Sequence, residues 1–405
     1  MSEMSPFREL ISYSEALQKI LETIPPTSHT ETIPISQGVN RILAQDIVAD
    51  TAVPPFDRAA MDGYAVQAKD TFGASQRNPK TLKLTEVLHA GPSQDKVLSE
   101  GECIQVATGA PLPQGADAVV MVEFTQRDED DIQIFKPVYP GANIAPKGED
   151  IQIGQVVLKA GKQLSPAKMG ALAALGKKRV KVYLKPRIAV VPTGTEIQEL
   201  GKPLARGQIY DVNSYTLSAV AYQNGGIPTR LKAVPDDIDK LRETIQKLLD
   251  HDMIVFSGGS SVGERDLLTK LISQLGTILF HGIQIKPGKP TLFATVEGTP
   301  VFGMPGYPTS CLLNAYLFLV PALRQMARLP PKMVKTTQKE LAKRVVSSTG
   351  RTQFLPVKIE EERVYPVFKQ SGDITSLTQA DGYIILPINT DVVEKDEEVT
   401  VHLFT

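Results

Sequence analysis

Cysteine and histidine are scarce in this sequence, and their spacing excludes several classes of protein. The chain has two cysteines, Cys103 and Cys311, far apart in sequence, so a secreted disulfide scaffold and a CxxC zinc site are both excluded. The five histidines form no HxH or HxxxH pair from which a zinc site could be inferred. The sequence therefore predicts a fold that depends on neither disulfides nor structural zinc.

Long hydrophobic runs and a dominant sign of charge are also missing. The most apolar stretch, Leu312 to Leu323, is interrupted by Asn314 and Pro321 and is shorter than the ~18 apolar residues of a membrane span. The first residues lack the basic start and apolar core of a secretory signal. With 44 Lys and Arg against 45 Asp and Glu, the chain also lacks the excess of basic residues typical of duplex-binding proteins. We expect a cytoplasmic protein that binds neither a membrane nor nucleic acid.

What the chain does have is the length and apolar content for several cores. Its 405 residues, 42% of them hydrophobic, predict about two to four domains. A first helix is expected, with Ser14 as its cap, followed by a region rich in Val, Ile and Thr that reads as strands. A second helix is expected over Ala167–Leu175, and it could rejoin the first in space. We predict a discontinuous N-terminal mixed α/β domain (1–50 and 140–180) with a β domain (51–139) inserted in it.

From Arg187 onwards, short apolar strands alternate with helical patterns. The expected strands begin with Ile188–Val191 and end with Pro300–Gly303, and a long helix is expected from Thr309 to about Ala327. This alternation predicts a parallel, three-layer α/β domain (181–328). After Pro330-Pro331 the strand-rich remainder predicts a β-barrel-like domain (332–405).

Four polar, glycine-rich loops lie at or near strand ends of the α/β domain, where ligands bind in such sheets. They are Val191–Glu196, Phe256–Asp266, Ile285–Pro290 and Gly303–Ser310. Lys286 and Lys289 could neutralise phosphate, and a phosphorylated ligand could also contact Pro305 and Gly306 and the hydroxyls of Ser260, Ser261, Thr309 and Ser310. Glu196, Asp236 and Asp266 could hold Mg²⁺, which prefers a few protein oxygens together with substrate phosphates.

Each of these features also has a structural explanation. A single glycine-rich turn after a strand is more often only a connection, and an acid at a helix start is usually a cap, as expected for Asp237. The recurrence of four such loops, carrying both signs of charge, favours a site for a large phosphorylated ligand with a divalent ion. In the β domain, the stretch Pro55–Val66 places Asp57 and Asp62 among small and aromatic residues, in a loop dense enough in polar groups to carry function.

The order and spacing of eight segments resemble the molybdopterin molybdenumtransferase family, which is related to the C-terminal domain of gephyrin. The matching segments are Phe56–Val66, Ala107–Pro113, Asn143–Ile151, Pro192–Ile197, Gly207–Tyr215, Gly258–Asp266, Lys286–Pro290 and Gly303–Ser310. This chain departs from many relatives at Tyr307, where they have asparagine, at Gly282, where they often have lysine, and in Ala145-Pro146-Lys147, where they are often arginine-rich.

The resemblance implies a four-domain homodimer that inserts molybdenum from molybdate into adenylylated molybdopterin, with Mg²⁺-dependent release of AMP. By motif, Glu196, Asp236 and Asp266 correspond to the acids near Mg²⁺, and Lys286 and Lys289 to phosphate ligands. Asp62 and Thr108 correspond to a catalytic contribution from the β domain that faces the α/β domain of the other subunit, so the site would be intersubunit. Expected partners are a molybdopterin adenylyltransferase and molybdoenzyme apoproteins or their chaperones.

Two other functions remain open from the sequence. A nucleotide pyrophosphatase could share the α/β domain alone, although it would lack the β-domain and C-terminal motifs. A noncatalytic molybdopterin-binding scaffold would not require the retained acids and lysines.

Overall fold

The computed structural model describes residues 10–91, 96–258 and 267–404. These residues form two compact units, one made of the start of the chain and Tyr183 onwards, the other of Thr32–Val182. Among the described residues, no helix is long and apolar enough to cross a membrane.

The α/β region of the first unit is built on a six-stranded sheet with helices on both faces. In spatial order its strands are Ile227–Arg230, Arg187–Pro192, Met253–Ser257, Thr299–Met304, Leu292–Val296 and Gly276–His281. Alternate side chains of the central strands enter different cores: Ile188 and Val190 pack with one set of helices, and Ala189 and Val191 with the other. The predicted three-layer arrangement is therefore confirmed.

The long helix begins one residue before its predicted start, and the helices form two layers. One layer contains Asn213–Gln223 and the long helix, which runs as Pro308–Asn314, a π-helical turn Ala315–Leu319, and Val320–Met326. The other layer contains Ile238–Leu248 and Leu267–Leu275. As expected, Asp237 caps its helix, because its carboxylate accepts from the amides of Asp239 and Lys240.

The sheet is not wholly parallel, which corrects the prediction. Five of the six strands run in the same direction, but Leu292–Val296 runs antiparallel to both of its neighbours. The reason is that only Glu297 and Gly298, both with positive φ, connect it to Thr299–Met304, and a two-residue hairpin can join only antiparallel strands.

The first helix, Tyr13–Thr23, differs from the prediction in its cap and in its core. Ser12, not Ser14, is the cap, because Ser12 and Glu15 form a reciprocal capping box, whereas Leu17 follows Ser14 at the corresponding spacing. Ala16, Ile20 and Ile24 lie in the core of the α/β region, and Gln325 Nε2 donates to the carbonyls of Leu21 and Ile24. This helix therefore belongs to the unit that contains the α/β region.

The C-terminal part of the first unit is a closed barrel, as predicted. Its five strands close because the first pairs with the last, in the order Thr352–Glu360, Arg363–Pro366, Thr336–Leu341, Glu398–Leu403 and Gly382–Leu386. The short strand Ile285–Lys286 of the α/β region adds to this sheet beside Thr352 and Gln353. A further short pair joins Val345–Val346 with Val392–Val393, and a helical turn spans Thr375–Thr378.

The second unit contains a six-stranded sheet and a smaller mixed core. The sheet has the order Ala118–Met121, Gly63–Val66, Glu102–Val106, Lys80–Leu88, Asp131–Ile134 and Thr125–Asp128. The acidic run Asp128–Asp131 forms a hairpin tip. The smaller core joins residues that precede the sheet in sequence, such as Leu43, with residues that follow it, such as Leu172 in the helix Pro166–Ala174. Short strand pairs complete the unit: Thr30–Pro34 with Arg179–Tyr183, Ile47–Val48 with Val156–Leu158, and Arg58–Ala59 with Ile144–Ala145.

Candidate functional site

Three of the four predicted loops leave the sheet side by side at the ends of neighbouring strands. Pro192 lies opposite Ser257, and Ser257 opposite Met304, so the loops begin in register. The amide of Thr193 donates to the Ser257 carbonyl at 3.0 Å, and that of Gly258 to the Met304 carbonyl at 3.1 Å. We call this end of the sheet the carboxyl edge; it is where parallel α/β sheets bind ligands.

The lysine-bearing loop begins and ends at the same edge. His281 lies opposite Leu292, and Leu292 opposite Gly303, so the segment between His281 and Leu292 projects from the carboxyl edge. All four loops predicted from the sequence therefore start at one edge of the sheet. Ser260, Ser261 and Asp266 lie outside the described residues, and their place in this site remains a prediction.

Glu196 and Asp236 lie on two segments that are joined at this edge. The amide of Gly194 donates to the Val234 carbonyl at 3.1 Å, so residues 194–196 and 234–236 continue outwards from a shared contact. A Cβ on Gly194, whose φ is +128°, would collide with the Glu196 carboxylate, so that carboxylate folds back over the glycine. Both acids are exposed. Since Asp237 provides the helix cap, Asp236 is not required for that role.

The lysine loop, the segment that carries Lys286 and Lys289, is partly buried, and a hydrogen bond links its two sides. The amide of Ile283 donates to the Lys289 carbonyl at 2.9 Å, and the Lys286 ammonium donates to Ser348 Oγ at 2.5 Å. Ser348 belongs to the C-terminal barrel region and was not recognised from the sequence. Lys286 and Lys289 thus flank Gly288 in a loop whose position is fixed at its base, which suits them to bind an anion.

At the start of the long helix, the predicted donors of Thr309 are already bound within the protein. Thr309 is fully buried; its amide donates to the Ser371 carbonyl at 3.0 Å, and its hydroxyl to the Asp373 carbonyl at 2.8 Å. Both donors are therefore bound by a segment of the C-terminal barrel, a long-range contact that no local pattern indicates. Ser310 is 3% exposed, Pro305 is buried, and Gly306 is exposed.

Two backbone amides at the described part of the edge are likewise already engaged. Those of Gly194 and Gly258 donate to protein carbonyls, so they are not free to surround an anion. Among the loop residues that the structure describes, Lys286 and Lys289 are the side chains that carry positive charge at this edge.

Buried asparagines hold two of the loops from below. Asn213 Nδ2 donates to the Gly306 carbonyl at 2.8 Å, and Asn314 Nδ2 donates to the Gly288 carbonyl at 2.9 Å. Sequence reasoning missed both contacts. The only local signal is that Asn314 interrupts the most apolar stretch of the chain, where a polar side chain needs a partner.

In the second unit, Asp62 and Thr108 form a bonded pair at adjacent strand ends. Gly63 lies opposite Val106, and just beyond them Asp62 Oδ1 accepts from the Thr108 amide at 2.6 Å and the Thr108 hydroxyl at 2.8 Å. Both residues are exposed. Hydrogen bonds from the Thr108 amide, which has the larger effect, and from the Thr108 hydroxyl hold the pKa of Asp62 below its ordinary value. This carboxyl is therefore ionised at neutral pH.

The neighbouring acid Asp57 makes different contacts. Its carboxylate accepts from the Lys147 amide at 2.7 Å, and its carbonyl accepts from the Leu112 amide at 2.9 Å. Both carboxylates therefore accept a backbone amide, and the contacts of Asp62 leave its second oxygen with no hydrogen bond among the described residues.

The protein side chains at the carboxyl edge provide only part of the ligand set that Mg²⁺ requires. Among residues 10–91, 96–258 and 267–404, no three Asp, Glu, His or Cys side chains cluster as a metal site would require. Glu196 and Asp236 nevertheless provide the hard oxygen donors, one or two in number, that Mg²⁺ uses when substrate phosphates complete its shell. The residues present therefore fit a magnesium ion that arrives with a phosphorylated ligand.

Neither thiol contributes chemistry. Both cysteines are fully buried; burial raises the pKa of Cys103 to about 12 and also raises the pKa of Cys311. Neither is a thiolate at neutral pH, so neither serves as a nucleophile or a metal ligand.

The layered α/β region, the closed C-terminal barrel and the loops at the carboxyl edge define a multidomain protein with a molybdopterin-binding-type domain. Family descriptions match in the same order: the MoeA N-terminal region (domain I and II) over residues 11–176, a probable molybdopterin binding domain over 189–325, and the MoeA C-terminal region (domain IV) over 338–404. The chain belongs to the MoeA family, whose curated members include molybdopterin molybdenumtransferases.

Individual relatives are similar over nearly the whole chain. A putative molybdopterin biosynthesis protein of Methanocaldococcus jannaschii is 35% identical, covering 95% of each chain. A molybdopterin molybdenumtransferase of Bacillus subtilis is 32% identical, covering 98% of this chain and 94% of its own. The crystal structure of a molybdopterin biosynthesis MoeA protein from Pyrococcus horikosii has a TM-score of 0.85 and 40% identity, covering 98% of this chain and all of its own.

Proposed function

We propose that this chain is a transferase that inserts molybdenum from molybdate into adenylylated molybdopterin and releases AMP in a Mg²⁺-dependent step. The observation that carries the proposal is the convergence at one sheet edge of a lysine loop and two exposed acids, which together suit a pyrophosphate beside a divalent ion. The family and the names of its curated members support the same activity.

The residues would divide the work by charge. Lys286 and Lys289 would neutralise the phosphates and the charge that develops on the leaving AMP. Glu196 and Asp236, with Asp266, would hold Mg²⁺, which when bound polarises the scissile phosphate. Ser260, Ser261 and Ser310 are further candidates for contact with the substrate. Thr309 would act indirectly, by positioning residues 371–373, because its amide and its hydroxyl already donate to carbonyls in that segment.

The active form is proposed to be a homodimer in which the site is shared. Asp62 of the partner subunit, paired with Thr108 of the partner subunit, would complete the catalytic set beside Glu196. The support is chemical: Asp62 is exposed, ionised and oriented by two hydrogen bonds that leave one oxygen for a ligand. Mixing Asp62→Ala chains with Lys286→Ala chains would then restore part of the activity that each lacks, because a mixed dimer contains one intact site.

The chemistry of substrate and product defines the partners of this cytoplasmic enzyme. An adenylyltransferase must supply the activated pterin, and molybdoenzyme apoproteins or their chaperones must accept the finished cofactor. Protection of the product from water favours direct transfer in both steps.

The test uses the full chain with adenylylated molybdopterin, Mg²⁺ and molybdate, and measures AMP together with reconstitution of a molybdoenzyme apoprotein. We expect both AMP and active cofactor. Cleavage of unrelated dinucleotides would instead indicate a nucleotide pyrophosphatase, and tight binding without turnover would indicate a scaffold; either result would overturn the proposal.

A further inference from the structure

Asn314 is a fully buried polar side chain that contacts the lysine loop directly. Its Nδ2 donates to the Gly288 carbonyl at 2.9 Å and to Thr291 Oγ1 at 2.5 Å. The Thr291 hydroxyl, also fully buried, donates to the same Gly288 carbonyl at 2.9 Å. The Asn314 amide, the Thr291 hydroxyl and the Gly288 carbonyl are thus all hydrogen-bonded to one another beneath the loop that carries the two lysines.

The orientation of the Asn314 amide follows from these partners. Because the Thr291 proton is directed to the Gly288 carbonyl, Thr291 Oγ1 must accept from its other neighbour, and the Gly288 carbonyl can only accept. Both contacts therefore require the nitrogen of Asn314. Its Oδ1 is left with no hydrogen-bond partner among the described residues, a cost that an apolar side chain would avoid.

The backbone of the lysine loop also packs closely against the long helix at Asn314. Gly288 has φ +102°, and a Cβ there would collide with the Asn314 side chain. Immediately after Asn314 the long helix changes to a π-helical turn, Ala315–Leu319, a feature often found at functional sites. A costly buried amide, a glycine without room for a side chain and a helix irregularity coincide at one point.

We propose that Asn314 is a positioning residue that fixes the Lys286–Lys289 loop for binding the pyrophosphate of the substrate. This inference rests on the proposed function for its ligand, but its geometry concerns the loop alone. Asn314 acts through Gly288 and Thr291 and touches neither lysine ammonium group in the contacts described above.

The chain provides a matched control in Asn224. This asparagine is 6% exposed and donates its Nδ2 to the Val220 carbonyl at 2.9 Å, also from a helix of the same layer. It lies three residues before the strand Ile227–Arg230, at the opposite edge of the sheet. Asn224→Ala should therefore lower stability to a similar degree without disturbing the lysine loop.

The experiment compares Asn314→Ala, Thr291→Val and Asn224→Ala in the full chain. Binding of inorganic pyrophosphate with Mg²⁺ is measured by calorimetry, and hydrogen exchange is followed in peptides that span residues 285–291. We expect Asn314→Ala to weaken pyrophosphate binding about tenfold, as the loss of two hydrogen bonds implies, and to speed loop exchange. Thr291→Val, which is milder and guards against misfolding of the first variant, should change both in the same direction, and Asn224→Ala should leave both within about twofold of wild type.

Steady-state AMP release adds a readout that a purely structural role would not move. Asn314→Ala should raise KM for adenylylated molybdopterin more than it lowers kcat. Wild-type loop exchange in both loop variants, or equal changes in Asn224→Ala, would overturn the inference. If wild type released no AMP while the loop variants still differed from the control in exchange, the proposed function would fail and the positioning role would stand.

Discussion

The two groups of candidate residues differ in what holds them in place. At the carboxyl edge, the loops are tied to buried side chains: Asn213 to Gly306, and Asn314 with Thr291 to Gly288. In the second unit, Asp62 and Thr108 are exposed and hold one another. One group depends on the core beneath it, whereas the other is a local pair on the surface.

This difference determines how function and stability are coupled. A substitution beneath the carboxyl edge removes hydrogen bonds from a buried site, so it lowers stability as well as activity. A substitution at the exposed pair removes little that folding requires, because exposed groups can bond to water instead. Neighbouring residues of the same kind serve as controls that separate the two effects.

The largest effect is expected for removal of both loop lysines. The double variant Lys286→Ala, Lys289→Ala should lower the rate of AMP release by at least about a thousandfold. Each hydrogen-bond donor that stabilises the charge developing in the transition state contributes roughly 10²–10³ to the rate. The control is Lys202→Ala, which loses only an exposed ion pair with Glu199. Single-turnover AMP release measures the effect, and comparable losses in the control would show that the edge is not the site.

A smaller but still large effect is expected at the exposed pair. Asp62→Ala should lower AMP release about a hundredfold, a typical contribution for a positioned acid or base, with the melting temperature nearly unchanged. The matched change Asp57→Ala also removes an exposed carboxylate that accepts one backbone amide, that of Lys147, so it should affect stability to a similar small degree and leave AMP release nearly unchanged. If Asp62→Ala lost stability and activity in proportion, the contrast between core-anchored and surface groups would be wrong.

The adjacent acids Asp236 and Asp237 provide a third comparison. Asp236→Ala should raise the Mg²⁺ concentration needed for half-maximal AMP release about tenfold, and excess Mg²⁺ should restore the rate. Asp237→Ala should instead cost about 1 kcal/mol of folding free energy, because it removes a helix cap, and leave the Mg²⁺ dependence unchanged. Titrations with Mg²⁺ and chemical denaturation distinguish the two, and a shifted Mg²⁺ dependence in Asp237→Ala would argue against the assignment.

The smallest effect concerns the pKa of Asp62. Thr108→Val removes the hydroxyl bond but keeps the stronger amide bond, so the pKa of Asp62 should rise only part of the way towards its ordinary value of 3.8. A lowered carboxyl pKa stabilises the fold above its ordinary pKa, and this contribution disappears as the pH falls through the folded-state value. The variant should therefore be slightly less stable than wild type at neutral pH, with the difference vanishing in acid. Carboxyl NMR titration would contradict this if the pKa fell.

The alternating strands and helices, and with them the location of the site, could be predicted because both follow from local patterns. Each buried strand such as Met253–Ser257 is short, apolar and followed by glycine, and topology alone then brings the loops to one edge. The antiparallel strand Leu292–Val296 could also have been recognised, since two residues leave no room for a crossover helix.

The contacts that fix the site could not be predicted, because they join residues far apart in sequence. Nothing near Thr309 indicates that its donors meet the carbonyls of residues 371 and 373. Ser348 beside Lys286 is a contact of the same kind, made by the C-terminal barrel region. Asp62 and Thr108 were paired through the family resemblance, whereas the register of Gly63 with Val106 supplies the physical reason.

The most direct test of the central assignment is the amount of AMP released when the full chain meets one equivalent of adenylylated molybdopterin with Mg²⁺ and molybdate. The wild-type chain should release close to one AMP per substrate within a single turnover, and the variant lacking both Lys286 and Lys289 should release almost none over the same time. Equal release by the two chains, or none by the wild type, would contradict a pyrophosphate site at the carboxyl edge.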